Sequence, residues 1–121
     1  MSLYKEKYDA FIKSYKTGIV SAENIGFLIA EMANFYSNTN TLLGSLESHL
    51  NKKSAEIVSS QDSETFKPIS VSKAELLIKN TQEYDAYNSE KINLQNIEQI
   101  LNALKALQKG ITNEYSHLAK T

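Results

Sequence analysis

The 121 residues are 41% hydrophobic and 22% charged, which suits a single folded domain and excludes a disordered chain. A formal net charge of −1 gives no global positive field for nucleic acid, and with all 13 cations being lysine, bidentate arginine contacts to bases are excluded. Absent cysteine excludes disulfides and thiolate metal sites, and the two histidines, His49 and His117, lack ligand spacing.

In the segment Leu3 to Thr17, the large apolar residues Tyr4, Tyr8, Phe11 and Tyr15 recur at helical spacing and form one narrow stripe, with Gly18 as a stop. Lys5, Lys13 and Lys16 project together beside that stripe, while Lys7 points elsewhere. Lysines interleaved with aromatics are what single-stranded nucleic acid binding uses for phosphate attraction and base stacking. The same stripe also reads simply as core.

Ser21 offers an N-cap oxygen and Glu23 a first-turn charge, so a second helix is expected from residue 22 to 59, roughly 55 Å long. Its apolar face runs through Ile25, Leu28, Ile29, Met32, Phe35, Tyr36, Leu42, Leu43, Leu46, Leu50 and Ile57. Gly26 and Gly44 inside it each cost on the order of 1 kcal/mol relative to alanine, which close packing or a local kink would explain. His49, between Leu46 and Leu50, reads as a packing residue.

Residues 60–71 are polar, lack periodicity and hold the only proline, and so read as a loop. Ser72-Lys73-Ala74-Glu75 fits a capping box and predicts a third helix over 73–118, with Leu77, Tyr84, Tyr87, Leu94, Ile97, Leu101, Leu104 and Ile111 on its inner face. The predicted fold is all-α: a long antiparallel helical hairpin with a short N-terminal helix over 3–17. A two-helix pair buries one stripe of each helix, whereas Leu94, Ile97, Ile100, Leu101, Leu104, Leu107 and Ile111 are assigned to a wider core or oligomer interface. A homo-oligomeric bundle or ring is therefore expected.

No nucleophile-base pair, carboxylate pair in a cleft or metal cluster is visible, so the expectation is a protein without catalysis, cofactor, metal or small-molecule substrate. Glu83, Asp85, Glu90 and Glu98 spread around their helix as a solvated face. Lys52, Lys53 and, across the loop, Lys67 gather near the expected hairpin tip, where they could follow a phosphate backbone. No apolar run has the length of a signal peptide or membrane span, which makes the cytoplasm of a bacterial or infected host cell the expected address.

A long helix from Ala22 ending in Leu50-Asn51-Lys52-Lys53-Ser54-Ala55, a polar loop, and Ser72-Lys73-Ala74-Glu75 opening another long helix resemble the phage recombination mediators of the UvsY type. The stretch Leu94 to Ile111 is similar to that family's C-terminal helix in apolar spacing and late lysines. The resemblance covers about the last hundred residues and rests on layout. It implies a small helical oligomer that binds single-stranded DNA, contacts a single-strand binding protein and helps load a RecA-like recombinase. Lys52 and Lys53 would match the family's basic segment. The slightly acidic balance and the N-terminal aromatic helix depart from that pattern. A protein-binding module for phage assembly, the virion or inhibition of a host protein is the alternative.

Overall fold

The computed structural model describes residues 3–18 and 21–120, with side chains described through Ile111. Four helices and no strand are found among these residues: α1 Leu3–Lys16, α2 Ala22–Val58, α3 Val71–Lys79 and α4 Gln82–Lys120. The chain divides into two compact units, residues 1–38 with 94–121, and residues 39–93.

In the first unit, α1 ends at Gly18, whose φ of 80° is the left-handed conformation that glycine adopts without a Cβ clash, and whose N–H donates to the Tyr15 carbonyl at 3.1 Å. Ser21 then caps α2, its hydroxyl accepting from the Asn24 amide at 3.2 Å. The core of this unit is Tyr4, Ile25, Leu28, Met32, Ile97, Leu101 and Leu104, with Tyr8, Phe11, Phe35, Tyr36, Ile100 and Leu107 packed against it. Each set recurs at three- and four-residue intervals, so one stripe from each of three helices meets in the middle.

The contacts fix the directions of these helices. Tyr4 packs 6.4 Å from Phe35, and Lys7 pairs with Glu31, so α1 runs antiparallel to α2. The Tyr4 hydroxyl accepts from the Asn96 amide. A Cβ on Gly26 would lie 3.5 Å from Gln108, while Ala33 and Tyr36 share a hollow with Leu101 and Asn102, so α2 and α4 are also antiparallel here. Gly26 therefore sits at a close helix approach, whereas Gly44 has open space around it and no packing reason for lacking a side chain.

The second unit contains the remainder of α2, the loop, α3 and the start of α4. The capping box expected at Ser72 is not the one used. Ser70 is the N-cap of α3, extended at φ −71° and ψ 155°, and its hydroxyl accepts from the Lys73 amide at 3.3 Å. Pro68 favours an extended residue before it, and the Ile69 amide donates to the Ser60 carbonyl, so the chain stays extended as far as Ser70 and the helix begins two residues early. Ser72 lies inside the first turn.

The single third helix expected over 73–118 is two helices. Asn80 closes α3, its amide donating to the Leu77 carbonyl at 3.2 Å. Thr81 ends one helix and opens the next: its hydroxyl donates to the Ile78 carbonyl at 2.6 Å and accepts from the Tyr84 amide at 3.1 Å. Short polar side chains that compete with the helical ladder make Asn-Thr a break, although the apolar period runs through it. Glu83 and Asp85 then occupy the first turn of α4, where negative charge suits the dipole.

Candidate binding surfaces

The N-terminal aromatic stripe turns inward. Tyr4 is buried, and Tyr8 and Phe11 pack against the core of the first unit. The rings form a ladder, Tyr8 to Phe11 at 6.4 Å and Phe11 to Tyr15 at 6.2 Å, of which only Tyr15 is substantially exposed. Lys5 places its ammonium 5.9 Å from the Tyr4 ring centroid, a cation-π contact that occupies the face a base would stack on. Lys13 and Lys16 are exposed in the last turn of α1, where positive charge stabilises the helix end.

The C-terminal apolar series has a position within one chain. Ile97, Leu101 and Leu104 are buried in the first unit, while Ile100, Leu107 and Ile111 pack against them and Leu94 is half-buried. The aromatic helix α1 supplies the extra cover that a two-helix hairpin would lack. Ile92 remains exposed.

Lys52 and Lys67 are exposed, whereas Lys53 is half-buried and lies 3.7 Å from Glu56 one turn along α2. His49, expected to pack, faces solvent. Three of the basic residues singled out in the sequence, Lys52, Lys53 and Lys67, thus belong to the second unit, and Lys5, Lys13 and Lys16 to the first.

The loop carrying Lys67 is ordered by its own hydrogen bonds. The Asp62 amide donates to the Lys67 carbonyl and the Phe66 amide to the Asp62 carbonyl, both at 2.8 Å, and Gln61 and Pro68 form an antiparallel bridge. The Asp62 carboxylate accepts from the Glu64 amide at 2.8 Å through Oδ1 and from Lys73 Nζ at 2.9 Å through Oδ2. The Lys73 hydrogen bond, reinforced by the Glu64 amide, holds the Asp62 carboxyl below its ordinary value, and the same bond raises the Lys73 ammonium.

At the end of this loop Phe66 has φ 57° and is 77% exposed. A bulky residue at positive φ is an outlier costing about 1–3 kcal/mol, sustained only because its surroundings determine it. Sequence reading passed over Phe66 as part of a polar loop. The Asp62-Ser63-Glu64 run, with an aspartate able to accept from the amide two residues on, was the available signal for a built turn.

More of the second unit's apolar surface is uncovered. Leu42, Val58, Val71, Leu76, Leu77 and Ile92 are exposed, Val71 and Leu76 by 76% and 65%. On α3, Ala74 is buried, and Leu76 lies about 200° around the helix from it at about 100° per residue. This short helix is therefore apolar on the face it packs and on the face it turns away.

The first unit carries shallow hollows between its helices. One, of about 310 Å³, is lined by Tyr4, Lys5, Tyr8, Asn96, Gln99 and Ile100. A second, of about 380 Å³, has Phe11, Phe27 and Leu28 as its apolar lining and the Lys7–Glu31 ion pair at its rim. Among the described residues there is no buried polar or charged side chain, no group of three His, Cys, Asp or Glu placed to hold a metal, and no helix long and apolar enough to cross a membrane. The chain matches no family model, no curated protein and no solved structure.

Proposed function

We propose that this chain is a non-enzymatic accessory protein of DNA recombination or replication, which docks a recombination protein through α3 and holds single-stranded DNA with its free lysines. The observation that supports the docking half is Leu76, exposed on the face of α3 opposite buried Ala74. A helix apolar all round is normally covered, and an amphipathic helix or apolar groove on a partner would cover it.

The DNA half draws on the UvsY-type layout and on Lys13, Lys16, Lys52 and Lys67, which are exposed and in no ion pair among the described residues. The burial of Tyr4 moves any stacking away from α1 and toward the loop, where exposed Phe66 adjoins Lys67.

Anisotropy of a labelled single-stranded oligonucleotide at two salt concentrations tests the DNA half. Binding should weaken as salt rises, and Lys52→Ala with Lys67→Ala should lower affinity by about three- to tenfold. Absence of binding by folded protein sinks that half. The exposed α3 face then favours the second reading, a module that binds protein alone.

A further inference from the structure

We infer that Phe66 is a knob that seats in the hollow lined by Phe11, Phe27 and Leu28 on a second copy of this chain, joining copies head to tail. The loop holds Phe66 at φ 57° and turns it into solvent, fixed by the Phe66 amide bond to the Asp62 carbonyl and by the Asp62–Lys73 ion pair. An aromatic ring presented by a constrained backbone loses little freedom on docking, which is how aromatic anchors come to dominate interfaces.

The hollow matches that knob in size and chemistry. At about 380 Å³ it exceeds the volume of one aromatic side chain, and Phe27 in its wall is 61% exposed on an otherwise packed stretch of α2. Offset or edge-to-face contact with Phe11 and Phe27 would contribute beyond the area buried. Charge also matches: Glu64 and Lys67 flank the knob in sequence, and the rim holds Lys7 and Glu31. The acid and base of the loop thus meet a base and an acid, and exposed Val58 and Val71, which end α2 and begin α3 beside the loop, widen the contact.

Because knob and hollow are different surfaces, the contact is heterologous and builds a ring or an open array rather than a two-fold dimer. This association does not use Leu76, so it stands or falls separately from the proposed docking on α3.

Sedimentation velocity of the full chain over a range of concentrations tests the inference, with circular dichroism to confirm helix content. Phe66→Asn removes the knob while keeping a residue that tolerates positive φ, and Phe27→Gln removes the wall of the hollow from an exposed helical position. Wild-type protein should exceed the monomer mass as concentration rises, and each variant alone should associate at least about tenfold more weakly. An equimolar mixture of the two variants should recover one junction and stop at a dimer, since one variant keeps the hollow and the other the knob. A wild-type protein monomeric throughout, a Phe66→Asn protein that assembles like wild type, or a mixture of non-associating variants that forms no dimer would each overturn it.

Discussion

The two units of this chain share the same helices and the same average composition but differ in what they do with apolar side chains. Residues 1–38 with 94–121 close seven of them into a core, three at 0% exposure, because α1 supplies a third stripe to the pair made by α2 and α4. In residues 39–93 Ala74 is the one apolar residue classed as buried among those described, and large side chains such as Leu76, Val71 and Phe66 stand in solvent. The lesson concerns the third element rather than the pattern: both stretches of α2 carry a helical apolar period, and only the one that meets three stripes becomes a core. Stability is expected to reside in the first unit and binding in the second.

The sharpest way to break that comparison is to truncate one large apolar residue from each. Ile97 is fully buried, and Ile97→Ala should cost about 2–5 kcal/mol through lost transfer energy and the cavity left behind. Leu76→Ser, on the exposed face of α3, should change stability by no more than about 0.5 kcal/mol. Urea denaturation of both variants decides it, and similar losses would mean that Leu76 belongs to a core.

A smaller effect sharpens the same contrast inside a single helix. Residues 25–38 of α2 carry buried Ile25, Leu28 and Met32, while residues 42–58 carry no buried side chain among those described. Amides of the first stretch should exchange with solvent at least roughly tenfold more slowly than those of the second, because local opening of the second exposes less apolar surface. Uniform protection along α2 would show that the helix opens as one unit and that the division by burial has no energetic counterpart.

Much of this architecture was legible in the sequence. Helix α2 was readable from Ser21 and its apolar period, and the role of Ile97, Leu101 and Leu104 as inward residues followed from their spacing. The break at Asn80-Thr81 was not, because Leu77, Tyr84 and Tyr87 hold the helical period across it and a period carries no information about backbone continuity. The early start of α3 was missed because Ser70 and Ser72 are both competent caps and only the extended backbone around Pro68 and Ile69 chooses between them. The candidate surfaces were the least legible. A lysine beside an aromatic stripe looks the same whether the stripe faces a ligand or a core, and the burial of Tyr4 depended on Phe35 and Asn96 from distant parts of the chain. Phe66 gave no periodic signal, since its exposure comes from a turn rather than from a helical face.

The smallest expected effect lies in the loop that presents Phe66. The Asp62 carboxyl titrates below its ordinary value because Lys73 and the Glu64 amide favour its charged form. Its contribution to loop order is therefore present above the unfolded value of about 3.9 and is lost as pH falls through the lower, folded value. Lys73 works at the other end: its raised value means the contribution is complete below about 10.4 and is lost only as pH rises through the higher, folded value. Across the whole interval between, the pair stays intact and the loop should be insensitive to pH. Amide chemical shifts of Glu64 and Phe66 should accordingly stay constant from neutral pH down to about 4 and move below it, with no matching change at Ile25 or Met32 in the first unit. Asp62→Asn should abolish that movement while leaving the core shifts as they are. A low-pH transition that persists in Asp62→Asn would place the sensitivity in another carboxylate and remove Asp62 as the residue that fixes the loop.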